Sequence, residues 1–393
     1  MKQFLKDIAD ISAGQGAPQG DSNYCENGFP FVKAGNLLEL TEGSSIYSIQ
    51  KVSEEVAKKH GLKLYKKGTI LFAKSGMSCL KGYVYVLPCD AYVVSHLACV
   101  TPNEDISEYL KYYFCYHKPN QLVKDAAYPS ISLSDIGCLE IDLKDATHRN
   151  VVVDSLQKLS SIVKMRKQQL TELDTLVKAR FVEMFGDPEQ NPHKYMVVSL
   201  HALIERGMIT YHLDGNHGGD YPRSEEFTIT GVPYIGANCI VDGRIDFGIA
   251  KHLPPERANR LRKGIAQHGD VLFAHNATVG PVVVLETHEP KVILSTSLTA
   301  YRCNTESINP YYLSAYMRSD GFVRQYSAEM KQTTRNQVPI TAQKKYLFMI
   351  PPIEQQKQFA TFVEQVDKSK VVVQKALDEA QVLFNSLMQE YFG

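Results

Sequence analysis

Residues 147–186 read THRNVVVDSLQKLSSIVKMRKQQLTELDTLVKARFVEMFG, and residues 353–393 read IEQQKQFATFVEQVDKSKVVVQKALDEAQVLFNSLMQEYFG. The two are one segment written twice, with Phe185-Gly186 matching Phe392-Gly393 at an offset of 207. A 3-4-3-4 seam runs through the first copy at Leu156, Leu159, Val163, Arg166, Leu170, Leu173, Val177, Arg180 and Met184. The same offset carries it to Val363, Val366, Lys370, Val373, Leu377, Ala380, Phe384, Leu387 and Tyr391. Seven of nine positions are apolar in the first copy and eight of nine in the second, so the seam predicts two long helices that pair.

The chain outside these segments repeats as well. FPFVKAGN (29–36) resembles VPYIGAN (232–238), and Lys67–Ala73 resembles His268–Ala274. Ser95-His96-Leu97 resembles Thr296-Ser297-Leu298, at an offset of 201. The order is globule, helix, globule, helix, and repeats of this kind decide the architecture. Runs such as Thr69–Ala73, Tyr83–Leu87 and Val271–Ala274 have the bias of strands. Residues 105–117 and 307–318 read as matching short helices. Gly186-Asp187-Pro188 stops the first long helix, and Pro351-Pro352 precedes the second. The expected fold is α+β: two similar mixed α/β domains, 1–146 and 187–350, joined by long helices over 147–186 and 351–393. The second helix starts at the second globule, so to pair with the first it must run back. The pair is therefore expected to be an antiparallel coiled coil, with the globules at its two ends and an approximate two-fold axis between them.

Bulk properties exclude several classes. The chain has 393 residues, ample for more than one core. No apolar run approaches the roughly 18 residues of a membrane span. Asp7 and Asp10 interrupt any apolar signal at the start, so a cytoplasmic protein with no membrane partner is expected. The eight cysteines show no CxxC or zinc spacing and read as reduced, mostly buried thiols. Basic and acidic residues balance at 43 each, which removes the usual basic excess of a nucleic-acid binder. Only the first long segment is clearly basic, with 7 basic against 4 acidic groups in 147–186. Any phosphate neutralisation must come from local patches or from a partner.

Together these stretches resemble the DNA-specificity subunit of type I restriction–modification systems. The residues that carry the resemblance are FLKDIADISAG (4–14), GTILFAKSG (68–76), GDVLFAHNATVG (269–280), IPPIEQQKQFATFVEQVD (350–367) and the helix ends RFVEMFG and LMQEYFG. It covers essentially the whole chain, and the twice-repeated order is more specific than any one motif. The resemblance implies that each globule is a target-recognition domain reading one half of a split, asymmetric DNA sequence. It implies that the paired helices set the distance between the halves and dock two methyltransferase subunits, which restriction/translocase subunits then join. The sequence shows no cofactor loop, metal cluster or duplicated carboxylate set, so a chain without catalysis or cofactor is expected. At the first junction the chain departs from the second copy, with Asp145-Ala146-Thr147-His148 where the second has Pro351-Pro352-Ile353-Glu354.

Candidate DNA-binding residues follow from chemistry at the ends of duplicated strands. Lys74, Ser75, Ser78 and Lys81 follow the first GTILFA run; His275, Asn276 and Thr278 follow the second. Arg335, Asn336 and Gln337 form a cluster whose matching place in the first globule holds Tyr128-Pro129-Ser130. Asn and Gln can read adenine, Arg guanine, and Lys or Ser the phosphates. Lys33, Asn36 and Asn238, in the duplicated FPFVKAGN/VPYIGAN run, are counted with them. Residues 1–148 hold no arginine, whereas 187–350 hold ten, so the two globules must read DNA with different side chains. Lys58, Lys59, Lys63, Lys66 and Lys67 form the expected phosphate patch of the first; Arg257, Arg260, Arg262 and Lys263 form that of the second. For each of these residues the competing reading is a solvated surface.

Other constellations read as coincidence. Gly14-Gln15-Gly16-Ala17-Pro18 lacks the spacing of a dinucleotide loop and reads as a mobile surface loop. Asn309-Pro310-Tyr311-Tyr312 lacks the second proline of a methyltransferase N-P-P-Y and reads as a helix cap. Asp270 with Glu289-Pro290-Lys291 has nuclease-like spacing, but Pro290 would break the strand such a site needs. The alternatives to a DNA-recognition scaffold are a self-contained DNA methyltransferase or nuclease, and a coiled-coil adaptor that binds only proteins.

Overall fold

The computed structural model describes residues 2–330 and 336–393. Both duplicated segments are helices of 40 residues, Ala146–Phe185 and Ile353–Phe392. All 18 seam positions are buried or half-buried, as the heptad period requires. Asp145 caps the first helix by accepting the His148 amide at 3.0 Å, where the second helix begins after two prolines. Gly186 ends the first helix with φ +74°, and a Cβ there would lie 2.3 Å from the Pro192 ring.

The chain divides into two compact units, one of residues up to 167 with 375–393, the other of 168–374. Each therefore owns a globule, here called a head, and a stretch of both long helices. The first head contains an antiparallel sheet in the order Ala9–Ala13, Leu97–Pro102, Ile70–Ala73, Val84–Val86. A second, three-stranded sheet pairs Phe29–Val32 antiparallel with Lys51–Val52 and parallel with Tyr92–Val93. Helix Ser107–Tyr116 puts Tyr109, Tyr112 and Phe114 into the core with Val152, Leu156, Met388 and Phe392 of the long helices. The His148 ring lies 6.0 Å from that of Tyr391, so within this unit the start of one helix meets the end of the other.

The second unit repeats the plan. Its main sheet runs Ile209–Asp214, Leu298–Cys303, Val271–Asn276, Thr278–Val284, all antiparallel. Its second sheet again holds one parallel pair, Val232–Ile235 with Val292–Leu294. Here Val177, Phe181 and Phe185 pack with Phe359, Val363 and Val366, the end of one helix against the start of the other. Phe181, Phe185 and Phe359 lie off the heptad seam. They turn toward the head, where Phe185 meets Tyr312 edge-on at 4.9 Å. Truncating a buried phenylalanine of this kind typically costs about 3–5 kcal/mol.

The polar seam residues have distinct roles. Lys370 reaches across to Asp174 on the other helix at 2.6 Å and lies 3.7 Å from Asp367 on its own. Arg180 pairs with Glu183 at 2.8 Å and lies over the Phe362 ring at 5.7 Å. Among the cysteines, Cys79, Cys99 and Cys239 are buried, while Cys25 and Cys138 are exposed, fewer inside than expected. Burial pushes the Cys99 thiol up to about 12.

Candidate nucleic-acid interface

In each head one strand of the main sheet runs fully buried to the sheet edge and turns there. In the first head Ile70–Ala73 is buried throughout. Beyond it the Lys74 amide donates to the His96 carbonyl at 2.9 Å, and the Lys74 carbonyl accepts the Ile131 amide at 2.8 Å. Ser75 pairs with Ser130 as a β-bridge, and the Gly76 amide donates to the Pro129 carbonyl at 3.0 Å. Gly76 takes φ +76°. Two segments more than fifty residues apart are thus stitched into one edge.

The second head builds the same edge. The Val338 amide donates to the His275 carbonyl at 2.7 Å, Asn276 bridges Gln337, and the Ala277 amide donates to the Asn336 carbonyl at 3.0 Å. The residues correspond at the sequence offsets, Lys74 to His275 and Gly76 to Ala277 by 201, and Ser130 to Gln337 by 207. What the two edges present differs. The first offers Lys74, Ser75 and Ser78, all half-buried, with Lys81 and Ser130 exposed and Tyr128 83% exposed. The second offers Asn276, Thr278, Asn336 and Gln337. Arg335 lies outside the described residues.

Several expected residues have other partners. His275 is 5% exposed, with Nδ1 2.8 Å from the Thr299 hydroxyl, so its ring supports the edge from behind and cannot meet a base. Arg257 is engaged by Glu226 at 2.5 Å and by the Asp220 carbonyl at 3.1 Å, while Arg260, Arg262 and Lys263 are exposed. Lys63 pairs with Asp10 at 3.1 Å and Lys66 with Asp90 at 2.8 Å, which reduces the charge that this lysine patch presents. Lys66 and the Lys67 amide together hold the Asp90 carboxyl below its usual range. Lys33 donates to Gln50 at 2.6 Å and lies over the Tyr24 ring at 4.7 Å; the Asn36 side chain accepts the Lys33 amide at 2.9 Å. Asn238 is exposed, on a turn joined to the edge through Ser297, which accepts the Ala237 and His275 amides at 2.8 and 3.0 Å.

Two residues were not legible in the sequence. Met77, at the first edge, is 69% exposed, large enough to wedge against bases, yet an isolated methionine gives no sequence signal. His96 is exposed, with Nδ1 2.8 Å from the Ser75 hydroxyl.

The apparent catalytic motifs are structural. Asp270 is held bidentately by Arg302, both bonds at 2.8 Å, while Lys291 donates to Asn259 at 2.5 Å. Asn309 caps helix Pro310–Met317 by accepting the Tyr311 and Tyr312 amides at 2.9 and 3.4 Å, and Tyr312 is fully buried. Gly14-Gln15 is tied down rather than mobile. The Gln15 amide donates to the Val93 carbonyl at 2.8 Å, and a Cβ on Gly14 would lie 2.2 Å from that carbonyl oxygen. Among the described residues no group of three or more His, Cys, Asp or Glu is placed to hold a metal ion, and no helix is long and apolar enough to cross a membrane.

Residues 1–175 and 211–380 match the family described as the type I restriction modification DNA specificity domain, and the chain belongs to that family. A type I restriction enzyme MjaIX specificity subunit from Methanocaldococcus jannaschii is 30% identical over 162 residues, 40% of this chain and 35% of that protein. A putative MjaX specificity subunit from the same organism is 25% identical over 169 residues, 41% of this chain and 39% of the relative. The matched region thus spans little more than a third of either curated relative. Among solved structures, the type I restriction–modification S subunit from M. genitalium aligns with a TM-score of 0.61 at 14% identity, covering 100% of this chain and 96% of that one. A chain from a study of complex assembly and conformational transition in the type I system aligns at 0.56 and 17% identity, covering 100% and 97%. At these identities the likeness concerns the fold.

Proposed function

We propose that the chain is the non-catalytic subunit that gives a type I restriction–modification complex its DNA sequence. Each head reads one half of a split, asymmetric target in double-stranded DNA. The observation that carries the reading is the edge built twice from the same backbone pairings, with Lys74, Ser75, Tyr128 and Ser130 on one and Asn276, Thr278, Asn336 and Gln337 on the other. A common scaffold with unlike polar side chains is what two unlike half-sites require.

The long helices are the dock for two methyltransferase subunits, with restriction/translocase subunits joining that assembly. Apolar side chains left uncovered at repeat-related positions support this: Met165 and Val372 are 55% and 70% exposed, Leu176 and Leu383 48% and 50%. Each compact unit owns one residue of each pair. The reading includes an antiparallel coiled coil that relates the heads by an approximate two-fold and sets the spacing of the half-sites. The domains are the 1–146 and 187–350 heads with the 147–186 and 351–393 helices.

The test is binding to mixed-sequence duplexes across a salt series, with and without co-purified methyltransferase subunits. The complex should bind with a steep loss of affinity as salt rises, about 0.9 in log K per log salt for each phosphate neutralised. The partner-free chain should methylate and cleave nothing. Salt-insensitive binding, or methylation by the chain alone, contradicts the proposal.

A further inference from the structure

Behind the edge of the second head lies a buried polar network whose repeat-related positions in the first head are apolar except at His275, where the first head has Lys74. Gln343 is fully buried and stands at its centre. Its Oε1 accepts the Tyr301 hydroxyl at 2.6 Å and His212 Nε2–H at 3.1 Å. Its Nε2 donates to the Thr299 hydroxyl at 3.1 Å and the Val338 carbonyl at 3.4 Å. The Thr299 hydroxyl in turn lies 2.8 Å from His275 Nδ1. Because an amide oxygen only accepts, His212 Nε2 must carry a hydrogen, while the Thr299 hydroxyl can donate to or accept from His275 Nδ1.

The corresponding residues of the first head are Ile136, Ile11, Ala98 and Val100, with Lys74 in place of His275. That head makes the same edge pairings over an apolar base, so the fold does not need the network. What differs at the edge is the turn. The first head turns at Gly76 with φ +76°, whereas the second turns at Ala277 with φ +63°, where a Cβ is disfavoured. Asn336 pins this alanine from both sides, accepting its amide through the backbone carbonyl and donating its side-chain amide to the Ala277 carbonyl, each at 3.0 Å. The segment that carries Asn336 and Gln337 is in turn anchored at Val338, one end by His275 and the other by Gln343.

We propose that Gln343 is a positioning residue, holding the 336–338 segment against the strained Ala277 turn so that the second head presents one arrangement of Asn276, Asn336 and Gln337. The Gln343 amide is itself fully bonded, although His212 Nδ1 beside it is buried without a partner, and a four-bonded amide selects one geometry where an apolar base permits slip. The first head tolerates an apolar base because its glycine turn carries no strain to be held. The inference rests on the DNA-recognition reading above and adds to it which residue fixes the second half-site.

The experiment uses the full chain with its co-purified methyltransferase subunits and a randomised duplex pool, sequenced after selection. Gln343→Met keeps volume and removes all four side-chain bonds; Thr299→Val is near-isosteric and removes the link to His275. Both should lower the discrimination at positions read by the second head about tenfold, and leave the other half-site unchanged. Adding Ala277→Gly to Gln343→Met should restore much of the lost discrimination, which a purely structural role for Gln343 does not predict. Unchanged discrimination in a folded variant, or equal loss at both half-sites, overturns the inference while leaving the DNA reading intact. No split sequence from the wild-type complex overturns the DNA reading, and this inference with it.

Discussion

The ion pair of Asp270 and Arg302 has a counterpart in the first head that makes its energetics testable. The Asp270 side chain is 1% exposed and accepts Arg302 Nε and Nη2, both at 2.8 Å, and the Gln267 amide at 2.9 Å. Arg302 is 26% exposed, donates to the Ile265 carbonyl at 3.2 Å and lies over the Tyr211 ring at 4.7 Å. At the same two sheet positions the first head has Thr69 and Thr101, hydroxyl to hydroxyl at 3.0 Å. Removing one member of a buried pair costs about 3–5 kcal/mol, because the other charge is stranded. Arg302→Thr strands a carboxylate with one amide left and belongs at the upper end. Asp270→Thr strands a guanidinium that still reaches solvent and belongs at the lower end. The double variant recreates the threonine pair and leaves no buried charge, so it should recover at least about 3 kcal/mol of the summed losses. Hydrogen exchange at the amides of 271–276 and 298–303, followed through a urea series, reports this unit without assuming that the whole chain unfolds as one. Single variants within about 1 kcal/mol of wild type, or a double variant no better than the worse single, would refute the reasoning.

Three further outcomes are expected. Burial pushes His212 down to about 4, despite its bond to Gln343 and nearby Asp214, with Lys344 and His275 adding to the depression. The unfolded chain therefore binds a proton that the folded one refuses. Stability should be intact above about pH 6.5 and fall by about 3 kcal/mol as pH drops from there to about 4, while His212→Phe should flatten that slope in a urea-midpoint series. Lys74→Ala should change selection only at one half-site and Asn336→Ala only at the other, by about 1–3 kcal/mol per lost base contact; uniform weakening across sequences would make them phosphate contacts. One heptad added after Gln169 and after Ala376 lengthens each helix by about 10 Å. The preferred spacer should then grow by about three base pairs, or binding should weaken because the half-sites rotate by about a third of a turn. An unchanged spacer optimum at full affinity would sink the idea that the helices measure distance.

The long helices were legible because a heptad seam is a local, periodic signal, and its offset of 207 ties Leu156 to Val363 without any structure. The phenylalanines that weld each helix to its head, such as Phe181 and Phe359, were not, because they lie off that seam and their partners are remote in sequence. The edges were legible as positions, since the repeat marks the end of the buried strand in each head. The orientation of His275 was not. The strand is irregular between Phe273 and His275, and residues 271–275 are all buried, so alternation does not reveal which side is solvated. Arg257 read as a phosphate contact because Glu226, which holds it, is 31 residues away. The Gln343 network joins residues as many as 131 positions apart, and only the fold assembles it.

The most direct test of the account is selection from a duplex pool randomised over the whole bound length, using the chain with its methyltransferase subunits. The account predicts one enriched target with two unlike specified halves and an unspecified spacer of fixed length between them. A single contiguous motif, a symmetric pair of identical halves, or no enrichment over the starting pool would contradict it.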